Sequence, residues 1–315
     1  MYKYLFGPVP SRRLGISLGI DLVPHKVCSL DCIYCECGPT TKLTLERKEY
    51  VGFDMITKEL DNYFATCHDP EFFTFSGAGE PTLNTRIGHI IRYLKQKKPN
   101  IPVAVLTNGT LLNQKDVRND LHDADIVLPS LDAASHKSFH HVNRPHQSIE
   151  IEDYIDGLIL FREEYPGSIW LEVFILPGYN DNKTDLTYLK DTIVKIRPDR
   201  IQLNTLDRPG TIHGLRTASY DELRRIIDYW QMPNVDIISG TAVAETKIIF
   251  RNDKEAAILE TISRRPCTVD DLTAILGISA DKISQYLKSL ESEKKITHVR
   301  QERGIFYHLV TRELE

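Results

Sequence analysis

No apolar run in the sequence is long enough to cross a bilayer, and the opening residues, Met1 to Phe6, are too short and too polar for a secretory leader. The first absence argues against a helical membrane anchor, and the second points to the cytoplasm, whose reducing interior suits exposed thiols. Neither sign of charge dominates. A formal charge of -5 over 315 residues argues against wholesale coating of a polyanion, although local basic patches remain open. Cysteine is sparse beyond residue 37: Cys67 and Cys267 stand alone, and no second C-x-x-C pair accompanies the first. A structural zinc site would want such a pair, and a disulfide framework belongs to small secreted chains.

What is present is a concentration of thiols. Cys28, Cys32, Cys35 and Cys37 fall within one short stretch, Val27 to Cys37. The first three form C-x-x-x-C-x-x-C, a spacing that lets one loop wrap three thiolates around three corners of a cuboidal iron-sulfur cluster. The fourth iron then lacks a protein ligand and can take a small molecule. Zinc is the alternative metal. Cys37 could substitute as a ligand, but reads as a neighbouring spectator.

The rest of the chain alternates strands with helices. After a loop of two prolines and two glycines, Gly7 to Gly15, in which Arg12 and Arg13 could meet a phosphate or carboxylate, a strand is predicted over Ile16 to Val23. Further strands are predicted over Phe72–Ser76, Val103–Thr107, Asp125–Ser130, Ile169–Leu176 and Arg200–Asn204. Helices are predicted over Phe53–Phe64, Thr85–Lys97, Asn113–Leu121, Ile149–Glu164, Thr184–Ile196 and Ser219–Gln231. Such alternation implies parallel βαβ units in an α/β fold. Six of them fit a partial (β/α)6 barrel better than an open doubly wound sheet. In either architecture the active face lies at the carboxyl ends of the strands, where the cysteine loop sits.

Several strand ends carry polar residues a buried strand does not need. Ser76-Gly77-Ala78-Gly79-Glu80-Pro81 combines glycines that permit close backbone approach with an acid that could meet a ligand ammonium group. Asn108, Ser130 and Asp132 fall on the same rim, although each alone is an ordinary cap or turn former. Glu172, Asn180 and Arg144 are further pocket candidates, with salt-bridge and turn roles as the plainer reading.

With the cysteine loop and the residue 76–81 turn in one βα repeat, the chain resembles the radical S-adenosylmethionine (SAM) superfamily. The resemblance implies that Cys28, Cys32 and Cys35 hold a [4Fe-4S] cluster whose free iron chelates the amino and carboxylate groups of SAM. Tyr34 would lie near the adenine. Gly79, Glu80 and Pro81 match the G-E-P of the superfamily's G-G-E-P motif, with Ala78 where its first glycine usually stands; this leaves the role of Gly77 open. Asn108, Ser130 and Asp132 match positions that touch the SAM carboxylate or ribose, and Asn204 one that meets the adenine. An oxygen-sensitive cluster of this kind would take an electron from a donor such as a ferredoxin or flavodoxin. It would cleave SAM to methionine and a 5'-deoxyadenosyl radical. The combination of residues 7–13, Gly19-Ile20-Asp21-Leu22 and Cys32-Ile33-Tyr34-Cys35 further resembles a group related to the tRNA wyosine-base synthetases. Chemistry that needs a second cluster, such as sulfur insertion, is disfavoured because no second cysteine group is present.

From residue 251 the alternation stops. A helix over Lys254–Ser263, a Thr268-capped helix, the turn Gly277-Ile278-Ser279, a helix over Ala280–Lys294 and a hairpin over Ile296–Arg300 and Gly304–Val310 resemble a winged helix-turn-helix. Ser279, Asp281, Lys282, Ser284, Gln285 and Lys288 would form its outward recognition face, able to follow phosphate in nucleic acid or to dock a protein. The expected division is an amino-terminal arm over 1–15, a barrel over 16–250 and the winged helix over 251–315. The leading functional expectation is a radical SAM enzyme acting on a macromolecule, RNA ahead of protein or peptide. The alternative is a DNA-binding regulator that uses the cluster as a redox sensor.

Overall fold

The structure, a computed structural model, describes residues 2–238 and 254–310. Its main feature is an eight-stranded sheet with helices packed against it. The chain opens with β1 (Leu5–Ser11), which pairs antiparallel with β2 (Gly15–Ile20). The prolines and glycines of residues 7–15 predict a loop, and this expectation is corrected by β1. An edge strand tolerates proline because its outer N–H groups need no partner, and the pairing register shifts between Phe6 and Val9 to absorb the irregularity.

A two-residue ladder, β3 (Val27–Cys28) with β4 (Lys42–Leu43), ties the two ends of the cysteine loop together. Then follow α1 (Phe53–Thr66), β5 (Phe72–Phe75), α2 (Ile87–Lys97), β6 (Val103–Thr107), α3 (Lys115–Leu121) and β7 (Ile126–Pro129). Next come α4 (His136–Val142), α5 (Ile151–Glu164), β8 (Ser168–Ile175), α6 (Lys183–Ile196), β9 (Arg200–Thr205), α7 (Tyr220–Trp230) and β10 (Val235–Ile237). The sheet order is β1-β2-β5-β6-β7-β8-β9-β10, and every pairing after the first is parallel. This is the partial barrel, with six successive βα units from β2 to α7. The short helix α4 and the strand β10 are additions to the pattern predicted from periodicity.

The core follows from the strand sequences. Phe73, Phe75, Val103, Val105, Val127, Ile169, Leu171 and Leu203 are essentially inaccessible, as expected of parallel strands covered on both faces. Helix α2 sets Ile87, Ile90, Ile91 and Leu94 along one stripe against them.

A second core belongs to the carboxyl-terminal module. Helices α8 (Lys254–Arg264), α9 (Val269–Leu276) and α10 (Ala280–Ser292) bury Ile258, Ile262, Leu272, Ile283, Leu287 and Leu290 together. The antiparallel hairpin β11 (Ile296–Gln301) and β12 (Gly304–Leu309) forms the wing. The boundary expected between residues 250 and 251 lies outside the described residues.

Candidate active site

The cysteine loop is held by its neighbours as well as by its own turns. Ile33 is fully buried in a small apolar cluster with Val142, Phe174, Leu176 and Leu206. Backbone bonds run from Ile33 N to the Val142 carbonyl (3.0 Å) and from Thr211 N to the Ile33 carbonyl (2.9 Å). The turn between β5 and α2 presses on the loop's start: Lys26 N donates to the Ala78 carbonyl, and Glu80 N donates to the Val27 carbonyl at 3.0 Å. A Cβ on Gly79 would collide with that Val27 carbonyl oxygen, so glycine is required by close approach.

Each of the three thiols meets one side-chain nitrogen donor. Asn108 Nδ2 lies 3.5 Å from Cys28 Sγ, Asn143 Nδ2 lies 3.5 Å from Cys32 Sγ, and Lys26 Nζ lies 3.0 Å from Cys35 Sγ. Burial pushes Cys28 up to about 11 and Cys32 well above the ordinary thiol range. A hydrogen bond with Cys37, assisted by the Lys26 ammonium against the effect of burial, holds Cys35 down to about 6. Lys26 and Asn143 are site residues that periodicity and motif spacing miss. Lys26 could have been noticed as the cation two positions before Cys28, whereas Asn143 carries no local signal.

Behind the thiols stands a polar frame. Asp132 is buried and accepts from Tyr34 Oη, from Asn143 Nδ2 at 2.7 Å and from Phe174 N at 3.0 Å, and burial raises it to about 6. Tyr34 stacks on Phe174 with ring centroids 4.0 Å apart. Glu80 is buried as well. Its Oε1 accepts from Thr82 N (3.0 Å), Thr82 Oγ1 (2.6 Å) and Thr107 Oγ1 (2.6 Å), and its Oε2 from Asn108 N (2.7 Å). Glu80 thus braces the ends of β5 and β6, and Oε2 keeps room for one more donor.

These groups surround a cavity of about 750 Å³ at the carboxyl ends of the strands. Cys28, Cys32, Tyr34 and Cys35 face it, together with Ser76, Gly77, Gly79, Glu80, Asn108, Ser130 and Asn204. Of the candidates for contact with SAM, Asp132 is set back from the cavity surface, behind Tyr34. Cys37 also reaches it. So does Glu172, which pairs with Arg13 and accepts from Asn204 Nδ2 at 2.9 Å. Asn180 is buried away from the cavity, where it fixes the turn after β8 through Phe174, Leu176 and the Asp132 carbonyl. Arg144 is exposed, with a left-handed φ of 45°.

The opposite wall comes from the winged helix. Arg264, Arg265, Asp271, Ile278, Ser279 and Lys282 line the same cavity. Arg208, in the loop after β9, is only 6% exposed and joins the two halves. Its guanidinium contacts Glu36 of the cysteine loop (3.2 Å), Asp207 (2.8 Å), Asp271 of α9 (3.5 Å) and the Pro266 carbonyl (3.1 Å). Arg264 adds a pair with Asp21 and lies over the Phe6 ring at 4.5 Å.

The model of the radical SAM superfamily matches residues 22–189, more than half of the chain. The chain belongs to the radical SAM superfamily. A model of the DprA winged helix domain matches residues 244–299. A UPF0026 protein of Helicobacter pylori strain J99 is 32% identical over 295 residues, 93% of each chain. A Brachyspira hyodysenteriae protein named GTPase Obg is 36% identical over 299 residues. That match takes in 93% of this chain but only 43% of that longer protein. Among solved structures, a radical SAM methyltransferase from Sphaerobacter thermophilus superposes with a TM-score of 0.55 at 15% identity, over 70% of this chain and 65% of that one. At that identity the likeness is one of fold. As a radical SAM enzyme the chain takes a [4Fe-4S] cluster and SAM as cofactors.

The cavity fits that pair. Among the described residues no three His, Cys, Asp or Glu side chains converge on a point where one ion could sit. A single zinc would need its thiolates about 2.3 Å from one centre. A cuboidal cluster takes each thiolate on a different iron, and three separate thiols facing one cavity suit it. Space for a small molecule remains beside them, within the roughly 300–1,000 Å³ range of ligand pockets. No helix among the described residues is long and apolar enough to cross a membrane.

Proposed function

We propose that this radical SAM enzyme modifies RNA, using the partial barrel for radical chemistry and the winged helix to present the substrate. The observation that carries this reading is the shared cavity: the space the thiols face is also lined by the winged helix, with Ser279 and Lys282 at the start of its recognition helix on the wall. A small metabolite would need no such second surface.

A [4Fe-4S] cluster held here would supply the one-electron reduction of SAM on which radical chemistry depends. In this reading Cys28, Cys32 and Cys35 hold the cluster, and the N–H groups of Asn108, Asn143 and Lys26 stabilise their sulfurs. The Ser76–Glu80 turn, Asn108, Ser130 and Asn204 orient SAM, Tyr34 lies beside the adenine, and Asp132 holds Tyr34 in place. Burial of the site beneath the winged helix excludes water. The electron comes from a ferredoxin or flavodoxin, in the cytoplasm. The division at residues 15 and 250 belongs to the same proposal, with the first strand serving as part of the barrel's edge.

A redox-sensing regulator would have no use for a cavity of this size. The test is anaerobic turnover of cluster-loaded protein with SAM, dithionite and total cellular RNA, followed by nucleoside mass spectrometry. A new nucleoside that depends on Cys32 is expected. Modification confined to an added protein fraction would overturn the choice of RNA.

A further inference from the structure

The cavity does not end at the winged helix. A second groove of about 420 Å³ is lined by Lys254, Glu255, Lys282, Gln285, Tyr286 and Ser289, and Lys254 and Lys282 belong to both. Lys282, Gln285, Tyr286 and Ser289 follow i, i+3, i+4, i+7 spacing, so they form one stripe along α10. The groove therefore runs from the cavity mouth outward along the recognition helix.

Charge at this junction is unevenly committed. The carboxylates around the mouth face cations: Glu36 faces Arg208 and Arg265, Asp207 faces Arg12, Arg208 and Arg303, and Asp271 faces Arg208 and Arg303. Glu255, the groove's own acid, pairs with Lys295 at 3.2 Å. Among the described residues Lys254 and Lys282 have no ion pair or hydrogen bond. Lys282 moreover sits in the first turn of α10, where the helix dipole disfavours a cation, and the N-cap Ser279 makes no side-chain cap bond there. Two free ammonium groups, uncapped first-turn amides and a positive dipole end share one rim. An anion in contact with that rim would relieve all three.

We propose that Lys254 and Lys282 grip backbone phosphates of a single-stranded RNA segment that runs along α10 and turns into the cavity, with Tyr286 and Gln285 contacting the nucleotide just outside. The inference rests on RNA being the substrate and names the path by which it enters. The cavity is sized for small groups, so a base must leave its stack to reach the thiols, and an unpaired strand is spared the cost of extrusion. A tyrosine ring beside a cationic track is the usual means of holding such a strand.

Fluorescence anisotropy on the full chain tests this, using a fluorescein-labelled single-stranded oligoribonucleotide and the same sequence as a duplex. The wild type is expected to prefer the single strand. Lys254→Ala/Lys282→Ala should weaken its binding about tenfold at low salt and flatten the slope of log K against log salt by about 1.4, for two phosphates at about 0.7 each. Lys254→Arg/Lys282→Arg should retain both affinity and slope. Unchanged affinity and slope in the alanine variant, or equal binding of the duplex, would overturn the groove while leaving an RNA substrate standing. A wild type that binds no RNA would overturn the RNA reading itself and the groove with it.

Discussion

Glu80 has four donors on two buried oxygens, which makes it a brace between strand ends. Glu80→Gln replaces one acceptor oxygen with an amide nitrogen that cannot accept a hydrogen bond from its neighbours. It should cost about 1–3 kcal/mol in chemical denaturation, the penalty for a buried donor left unmatched. An unchanged midpoint would argue against the brace. Gly79→Ala would drive a methyl group into the Val27 carbonyl, so the cysteine loop must shift. Reduced iron per chain after reconstitution is expected, together with a loss of about 1–3 kcal/mol of stability. Full iron content would contradict the close approach. At this scale the thiol spacing and the turn motif were legible in the sequence because each is local. The Asp132 frame and the Asn143 contact were not, because they join residues far apart in the chain, 98 positions for Tyr34 and Asp132 and 111 for Cys32 and Asn143. Convergence at a strand rim placed Asp132 near the site, but only packing sets it behind Tyr34.

The elements themselves were readable where periodicity was long. The apolar runs from Phe72 to Asn204 became parallel strands almost as written, and Thr268 caps α9 through a reciprocal capping box with Asp271. The failure was β1, where a register shift allows an edge strand to form from residues that discourage regular structure. Thr268→Ala should destabilise the winged helix by about 1 kcal/mol. Asp271 adds a pH dependence. Burial pushes its carboxyl up, but hydrogen bonds from Arg303, the charge of Arg208 and the Thr268 amide outweigh that and hold it down to about 2. A carboxyl depressed on folding contributes stability above its unfolded pKa of about 4, and that contribution disappears as pH falls through the folded value. The stability gap between wild type and Asp271→Asn should therefore narrow between about pH 4 and pH 2 in urea titrations. A gap that stays constant across that window would contradict the ion pairing.

For the whole molecule the governing feature is the docking of the winged helix over the barrel mouth. Sequence pattern revealed both modules, but the contact between them depends on Arg208, an unremarkable arginine in a loop. Arg208→Ala would leave Glu36 with Arg265 and Asp271 with Arg303, at a cost of about 1–3 kcal/mol for the lost charged hydrogen bonds. Faster hydrogen exchange in α9 and α10, with the barrel strands unaffected, is the expected signature. Equal protection in both proteins would count against the docking. The central claim is that this cavity performs SAM radical chemistry on RNA. It is tested most directly by measuring 5'-deoxyadenosine formed anaerobically by cluster-loaded protein with SAM and dithionite, with and without cellular RNA. The account predicts formation that RNA accelerates and that Cys32→Ala abolishes; a fully loaded wild type that forms none, with or without RNA, would contradict it.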